Sequence, residues 1–387
     1  AFRSFSGKPL ELRNLRKFQF SIRSLGPATS CRDYARDGFS AACNLKGIIS
    51  KMIEARLYSK AEKGSVKCAL CSFRCHIRDG KRGICGVREN KGGTLFTHTW
   101  GRLVAENIDP IEKKPLFHFQ PASRSYSIAT AGCNFRCLHC QNSEISQMPR
   151  EGGEIAGSEV TPEEIAAEAY ETGCSSVSYS YTEPTIFFEY AYDTAVLARE
   201  KGLKNIFVTN GYMTPECLSA LDGLLDAANV DIKAFTESFY KKVCGATLAP
   251  VLESVETMRR MGIWVEITTL VIPGMNDSEE ELRALAKWLY QTDKTMPWHL
   301  SAFHPAYKMA DVEPTPASTL EMARQIGLEE GLRYVYTGNI PGIKGESTYC
   351  WNCHSMLIER RGFVVRKNLI VDSDCPSCGS KIDGVEL

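Results

Sequence analysis

From residue 126 onward the chain alternates two kinds of hydrophobic pattern. Short runs carrying apolar, aromatic and β-branched residues, at 126–130, 176–181, 205–209, 228–232, 263–270 and 298–303, have the length and composition of strands. Between them lie longer stretches with apolar positions every three or four residues, as in amphipathic helices. The helical stretches carry start signals. Thr161-Pro162-Glu163-Glu164 joins a capping box to a proline at the first helical position, and Gly173 closes that helix. Ser278 with Glu281, and Ser318 with Glu321, predict two further starts. Repeated strand–helix units imply a parallel sheet with crossover helices. Periodicity alone leaves open whether that sheet curls into a barrel or stays doubly wound. In either case chemistry gathers where the strands end.

The flanks read differently. Residues 1–51 hold ten Lys/Arg against three Asp/Glu, many Ser and no sustained period, which predicts little packed structure. That acid-poor, Arg/Ser-rich character also resembles an organelle transit peptide. Residues 52–125 are Cys-bearing and Gly/Thr-rich, with a strand expected over 95–100. Residues 126–340 form the repeating core, and 341–387 a short tail with cysteines.

Charge adds little. Lys+Arg and Asp+Glu both total 46, so no global field favours nucleic acid or an anionic membrane, and neither partner is expected. No apolar run reaches the length of a membrane span. Cysteine changes the picture. Of 16 cysteines, eleven fall into groups with metal-ligand spacing: 68/71/75/85, 133/137/140 and 350/353/375/378. The expectation is metal binding in a reducing cytoplasm. Cys31, Cys43, Cys174, Cys217 and Cys244 are scattered and read as small core residues.

The middle group, Cys133-Asn134-Phe135-Arg136-Cys137-Leu138-His139-Cys140, directly follows the first predicted strand. Three thiolates on one loop can hold three irons of a [4Fe–4S] cube and leave the fourth iron without a protein ligand. Electron-transfer clusters use four cysteines, so an open iron points to chemistry. The plain alternative is a zinc knuckle with His139 as fourth ligand, where ligation between two cysteines would be cramped. This C-x3-C-x2-C loop resembles the radical S-adenosylmethionine (radical SAM) family. The resemblance implies a partial (β/α)6 TIM-like barrel, with a Cys-rich segment before it and a zinc-ribbon-like tail after it. It further implies that the open iron chelates SAM. One electron then breaks the C–S bond, and a 5′-deoxyadenosyl radical abstracts hydrogen from a substrate. His139 stands where the family usually has an aromatic residue near the adenine.

Other roles follow from the same resemblance. Thr182-Glu183-Pro184-Thr185 is similar to an activase variant of the family's amino-group site, so Thr182 and Glu183 would accept hydrogen bonds from the SAM amine. Asn210 would contact ribose or carboxylate. Asp231 and Lys233 share one strand face by alternation; Lys233 would pair with the SAM carboxylate and Asp231 would hold that lysine or face the substrate, the alternative being a solvated pair. Val271 and Ile272 would wall the adenine, and His304 is the acid/base or substrate-contact candidate.

Cys350, Cys353, Cys375 and Cys378 form two C-x2-C knuckles and read as a zinc ribbon. Cys68, Cys71, Cys75 and Cys85 could hold zinc or an auxiliary [4Fe–4S] cluster, and spacing does not decide between them. The strings Cys85-Gly86-Val87-Arg88-Glu89-Asn90, Asn107 to Leu116, and Cys140-Gln141-Asn142 narrow the resemblance to the radical SAM member of the AmmeMemoRadiSam group, similar to pyruvate formate-lyase activating enzymes. That implies a ferredoxin or flavodoxin as reductant. It also implies a glycyl radical enzyme, a small molecule or another protein residue as target, and Memo-like proteins as partners. A metal-rich adaptor would instead be colourless with zinc alone, and a plain electron carrier would be brown without cleaving SAM.

Overall fold

The computed structural model describes residues 52–387 apart from residues 152, 154 and 344, and the expectations for 1–51 lie outside the described residues. An eight-stranded sheet dominates it. Its strands are β1 (Ala105–Pro110), β2 (Arg124–Ala129), β3 (Ser176–Tyr179), β4 (Lys204–Thr209), β5 (Ala227–Asp231), β6 (Trp264–Val271), β7 (Trp298–Ala302) and β8 (Val335–Gly338). Spatial order follows chain order, and β2 to β8 are parallel in sequence while β1 pairs antiparallel with β2. The helices α1 (Pro162–Glu171), α2 (Phe188–Glu200), α3 (Pro215–Ala220), α4 (Ala249–Arg260), α5 (Glu279–Asp293) and α6 (Ala317–Glu329) make the crossovers. Among the described residues, edge strands β1 and β8 do not pair with each other, so this is a partial barrel.

The six expected strands are all present. The sheet extends past them by β8, too short to signal strand on its own, and by β1, too polar to do so. The Thr161 capping box forms as expected, and the Ser278 hydroxyl caps α5 through Glu281 N. The third predicted start is displaced: Ser318 lies inside α6, whose cap is Pro316. Proline holds that residue extended (φ −64°, ψ 148°), so it ends the loop without any side-chain bond.

Both faces of the parallel sheet are covered, which is why β3 is buried at every position. Segment 111–120 crosses beneath the barrel, where Glu266 at the start of β6 accepts Phe117 N and His118 N at 3.0 and 2.8 Å. The tail contains β9 (Thr348–Tyr349), β10 (Met356–Arg361) and β11 (Val364–Asn368). It docks on this underside: Phe117, Tyr334, Tyr336, Leu357, Ile358 and Ile370 share one small core.

Candidate active site

The loop after β2 is built to hold thiols in place. Arg136 N and Leu138 N donate to Cys244 O and Val243 O at 2.9 and 3.0 Å, tying the loop to a helical turn at Tyr240–Cys244. Gly132 enters the loop at φ +110°, and a Cβ there would stand 2.9 Å from Val87 Cγ1. Only glycine fits such a close approach comfortably. Arg150 then fastens the loop backbone, donating to Cys133 O, Asn134 O and Phe135 O at 2.7, 3.0 and 2.7 Å.

Cys133, Cys137 and Cys140 all line one cavity of about 330 Å³ at the C-terminal ends of the strands. Thr182, Glu183, Asn210, Asp231, Lys233 and His139 line the same cavity. Four segments, far apart in sequence, are thus gathered by the parallel topology. Glu183 is buried, and its carboxylate is a junction. Oε1 accepts Thr185 N (3.0 Å), Thr185 Oγ1 (2.5 Å) and Thr209 Oγ1 (2.7 Å), while Oε2 accepts Asn210 N (2.8 Å). Burial pushes its pKa up and these donors pull it back. Oε2 keeps acceptor capacity beyond the single bond from Asn210. Asn210 Nδ2 donates to Asn134 Oδ1 at 2.7 Å, which links strand β4 to the cysteine loop.

Lys233 Nζ lies 2.7 Å from Asp231 Oδ2. Burial pulls the lysine pKa down, but Asp231 and neighbouring thiols outweigh it, so Lys233 stays charged. The His139 ring is pushed to a pKa of about 3 by burial and then by the Lys233 charge, and is neutral near pH 7. Both its ring nitrogens are buried without a partner, as are Asn134 Nδ2, Thr130 Oγ1 and Thr268 Oγ1. Buried polar atoms of native proteins are nearly always paired. Three thiols, unpaired polar atoms and the charged ammonium of Lys233 at this cavity therefore fit a cluster with a polar, carboxylate-bearing ligand.

Three expected residues are placed elsewhere. Val271 and Ile272 are fully buried in the hydrophobic core; from β6 it is Thr268 and Leu270 that reach the cavity. Alternation explains this, since Val271 faces away from Leu270. His304 is exposed, with Nε2 3.0 Å from Asn339 O, and Ser301 lines the cavity from β7 instead. The chain turns outward one residue after the buried Phe303, so His304 points to solvent.

A second set of cavity residues was absent from the expected roles. Lys113 and Lys114 both pair with Asp109, at 2.8 and 2.7 Å, and Tyr181 OH donates to the same carboxylate. Lys114 Nζ also reaches Ser180 Oγ at 3.3 Å and lies 4.4 Å from the Tyr181 ring centre. Burial lowers Lys114 to about 8 although Asp109 opposes it. The Asn107 to Leu116 string contains Asp109, Lys113 and Lys114, but only the antiparallel β1–β2 pairing, which sets Asp109 opposite Ser125 at the start of β2, brings them to the cavity from the underside.

The N-terminal cysteines do not line this cavity. Burial raises the Cys71, Cys75 and Cys85 thiols, and within this group the neighbouring thiols add to it. In the tail, Cys350, Cys353, Cys375 and Cys378 bring their sulfurs within 4.8 Å of one another. The pairs Cys350–Cys378 and Cys353–Cys375 stand 3.7 and 3.6 Å apart. Tetrahedral zinc with 2.3 Å bonds spaces its sulfurs by about 3.8 Å, so this group could hold such an ion.

Fold and site define an α/β partial-barrel protein with three cysteines of one loop gathered at its strand ends. A profile of the Radical SAM superfamily matches residues 127–288. An uncharacterised protein of Methanocaldococcus jannaschii, MJ0808, is 50% identical over 335 residues, covering 86% of this chain and 99% of that protein. The chain belongs to the radical SAM superfamily. The pyruvate formate-lyase-activating enzyme of Clostridium pasteurianum is 25% identical over 202 residues, 47% of this chain and 81% of that one. A radical SAM methyltransferase structure from Sphaerobacter thermophilus aligns with a TM-score of 0.45 and 13% identity, over 76% of this chain and 80% of that one. Among the described residues, no helix is long and apolar enough to cross a membrane.

Proposed function

We propose that this chain is a cytoplasmic radical SAM enzyme whose catalytic [4Fe–4S] cluster is held by Cys133, Cys137 and Cys140. The observation that carries the reading is the convergence of those three thiols with Glu183, Asn210 and Lys233 on one cavity at the strand ends. When bound, the cluster supplies the electron that splits SAM and so generates the radical that takes hydrogen from a substrate. Lys233, held charged, would bind the SAM carboxylate. Glu183 Oε2 and the Thr182 backbone would receive the amine, Asn210 would contact the ribose or carboxylate, and Asp231 would steady Lys233. Thr268, Leu270 and the neutral His139 would border the nucleoside. The electron would come from a ferredoxin or flavodoxin.

The favoured target is a glycine of a partner enzyme, a reading supported by the distant similarity to pyruvate formate-lyase-activating enzymes. Membership of the AmmeMemoRadiSam group, with Memo-like partners, is proposed from the motif strings 85–90, 107–116 and 140–142. The test is anaerobic. The reduced protein should release methionine and 5′-deoxyadenosine from SAM, and Cys137→Ala should lower that release at least about 100-fold, the scale of losing a positioned reactive group. Cleavage by Cys137→Ala at the parental rate would refute the site. A glycine-centred EPR doublet on a candidate partner checks the target.

A further inference from the structure

Four thiols outside the catalytic cavity remain unexplained. Cys68 ends a strand, Val66–Cys68, that pairs with His76–Ile77, and Cys68 N donates to Cys75 O at 3.0 Å. The turn carrying Cys85 folds onto the same spot: a Cβ on Gly83 would lie 3.6 Å from Cys75 Sγ. Cys71 bridges to Met213 in the loop after β4. A buried guanidinium completes the site, with Arg88 Nη1 3.3 Å from Cys68 Sγ. Cys68, Cys71 and Cys85 are buried and Cys75 is half-buried.

Sulfur spacing separates the two kinds of site. Among the described residues, the tail group is the one whose ligand atoms all fall within 4.8 Å, as a single zinc ion requires. Neither the N-terminal thiols nor the three thiols of the catalytic loop form such a single-ion group among the described residues. Ligands of a [4Fe–4S] cube sit on separate irons and stand further apart than ligands of one ion. A cationic donor at Cys68 also suits a thiolate-rich cluster of net negative charge.

The site also adjoins the catalytic loop. Arg150 Nε donates to Ile84 O at 2.8 Å while the same guanidinium binds Cys133 O. A Cβ on Gly132 would be 3.5 Å from Cys85 O. The backbone next to Cys133 is therefore in contact with the backbone of Cys85.

We propose that Cys68, Cys71, Cys75 and Cys85 ligate a second iron–sulfur cluster, placed to exchange single electrons with the cluster at Cys133, Cys137 and Cys140. The role rests on the proposed radical SAM reading; the cluster assignment does not. The step is an outer-sphere transfer. A low-potential donor of the ferredoxin or flavodoxin class reduces the second cluster by one electron. That electron passes to the catalytic cluster, and no bond or proton moves.

The experiment is metal analysis and EPR on full-length protein purified anaerobically without reconstitution. The parent should carry about eight irons and one zinc per chain. A Cys133→Ala/Cys137→Ala/Cys140→Ala variant should keep about four irons, and Cys71→Ala/Cys85→Ala should lose about four. About four irons with two zincs in the parent, and a colourless triple variant, would overturn the assignment. In the reduced parent the two paramagnets should broaden each other. A spectrum equal to the sum of the two variants' spectra would overturn the exchange. Absence of SAM cleavage with eight irons present would defeat the catalytic reading alone.

Discussion

Arg88 and Glu189 join the N-terminal segment to α2 through a fully buried ion pair, each side chain 1% exposed. Arg88 Nη2 donates to Glu189 Oε1, and Nη1 donates to Arg56 O at 3.1 Å. Arg56 N donates to the same Glu189 oxygen at 2.6 Å. Arg88→Met roughly preserves volume but strands the carboxylate of Glu189 in the core. Breaking a buried pair from one side costs about 3–5 kcal/mol, because the remaining charge has no water and no opposite charge, Glu189 keeping the Arg56 N–H. Glu189→Leu leaves the guanidinium stranded and should cost a similar amount. Removing both charges is a different perturbation: an apolar pair of like volume is often near neutral. Arg88→Met/Glu189→Leu should therefore lie within about 2 kcal/mol of the parent, a coupling of several kcal/mol. Anaerobic urea unfolding, followed by tryptophan fluorescence and far-UV circular dichroism, measures all four proteins. A cost below about 1 kcal/mol for Arg88→Met would refute the reasoning, as would a double variant as unstable as the singles combined.

Two further perturbations probe the loop and the underside. Gly132→Ala places a methyl 2.9 Å from Val87 Cγ1 at φ +110°. Strain of about 1–3 kcal/mol should displace the cysteine loop, seen as lower iron retention at the catalytic site in a Cys71→Ala/Cys85→Ala background. Burial lowers His118 from 6.5 to about 4. Between these values the unfolded chain binds the proton and the folded chain does not, so stability is full above pH 6.5 and falls as pH drops toward 4. The loss approaches about 3 kcal/mol, and His118→Asn should flatten this limb in unfolding titrations from pH 7 to 4.5. An unchanged slope would show that His118 does not titrate as placed.

Local chemistry was enough to place the strands, the Thr161 and Ser278 helix starts and all three cysteine groups. Each depends on residues adjacent in the chain: apolar runs, a hydroxyl three residues before a glutamate, thiols two or three residues apart. Glu183, Asn210, Asp231 and Lys233 were also legible, because strand ends in a parallel sheet must converge. Long-range geometry decided the rest. Leu270 and Thr268 face the cavity while Val271 does not, a matter of sheet register that flips with every residue. Lys114 entered through the antiparallel pairing of β1 with β2, and His304 left because the chain turns outward after Phe303. How Cys68, Cys71, Cys75 and Cys85 are disposed is not written in their sequence spacing, since it depends on how their turns pack against α2, β4 and the loop held by Arg150.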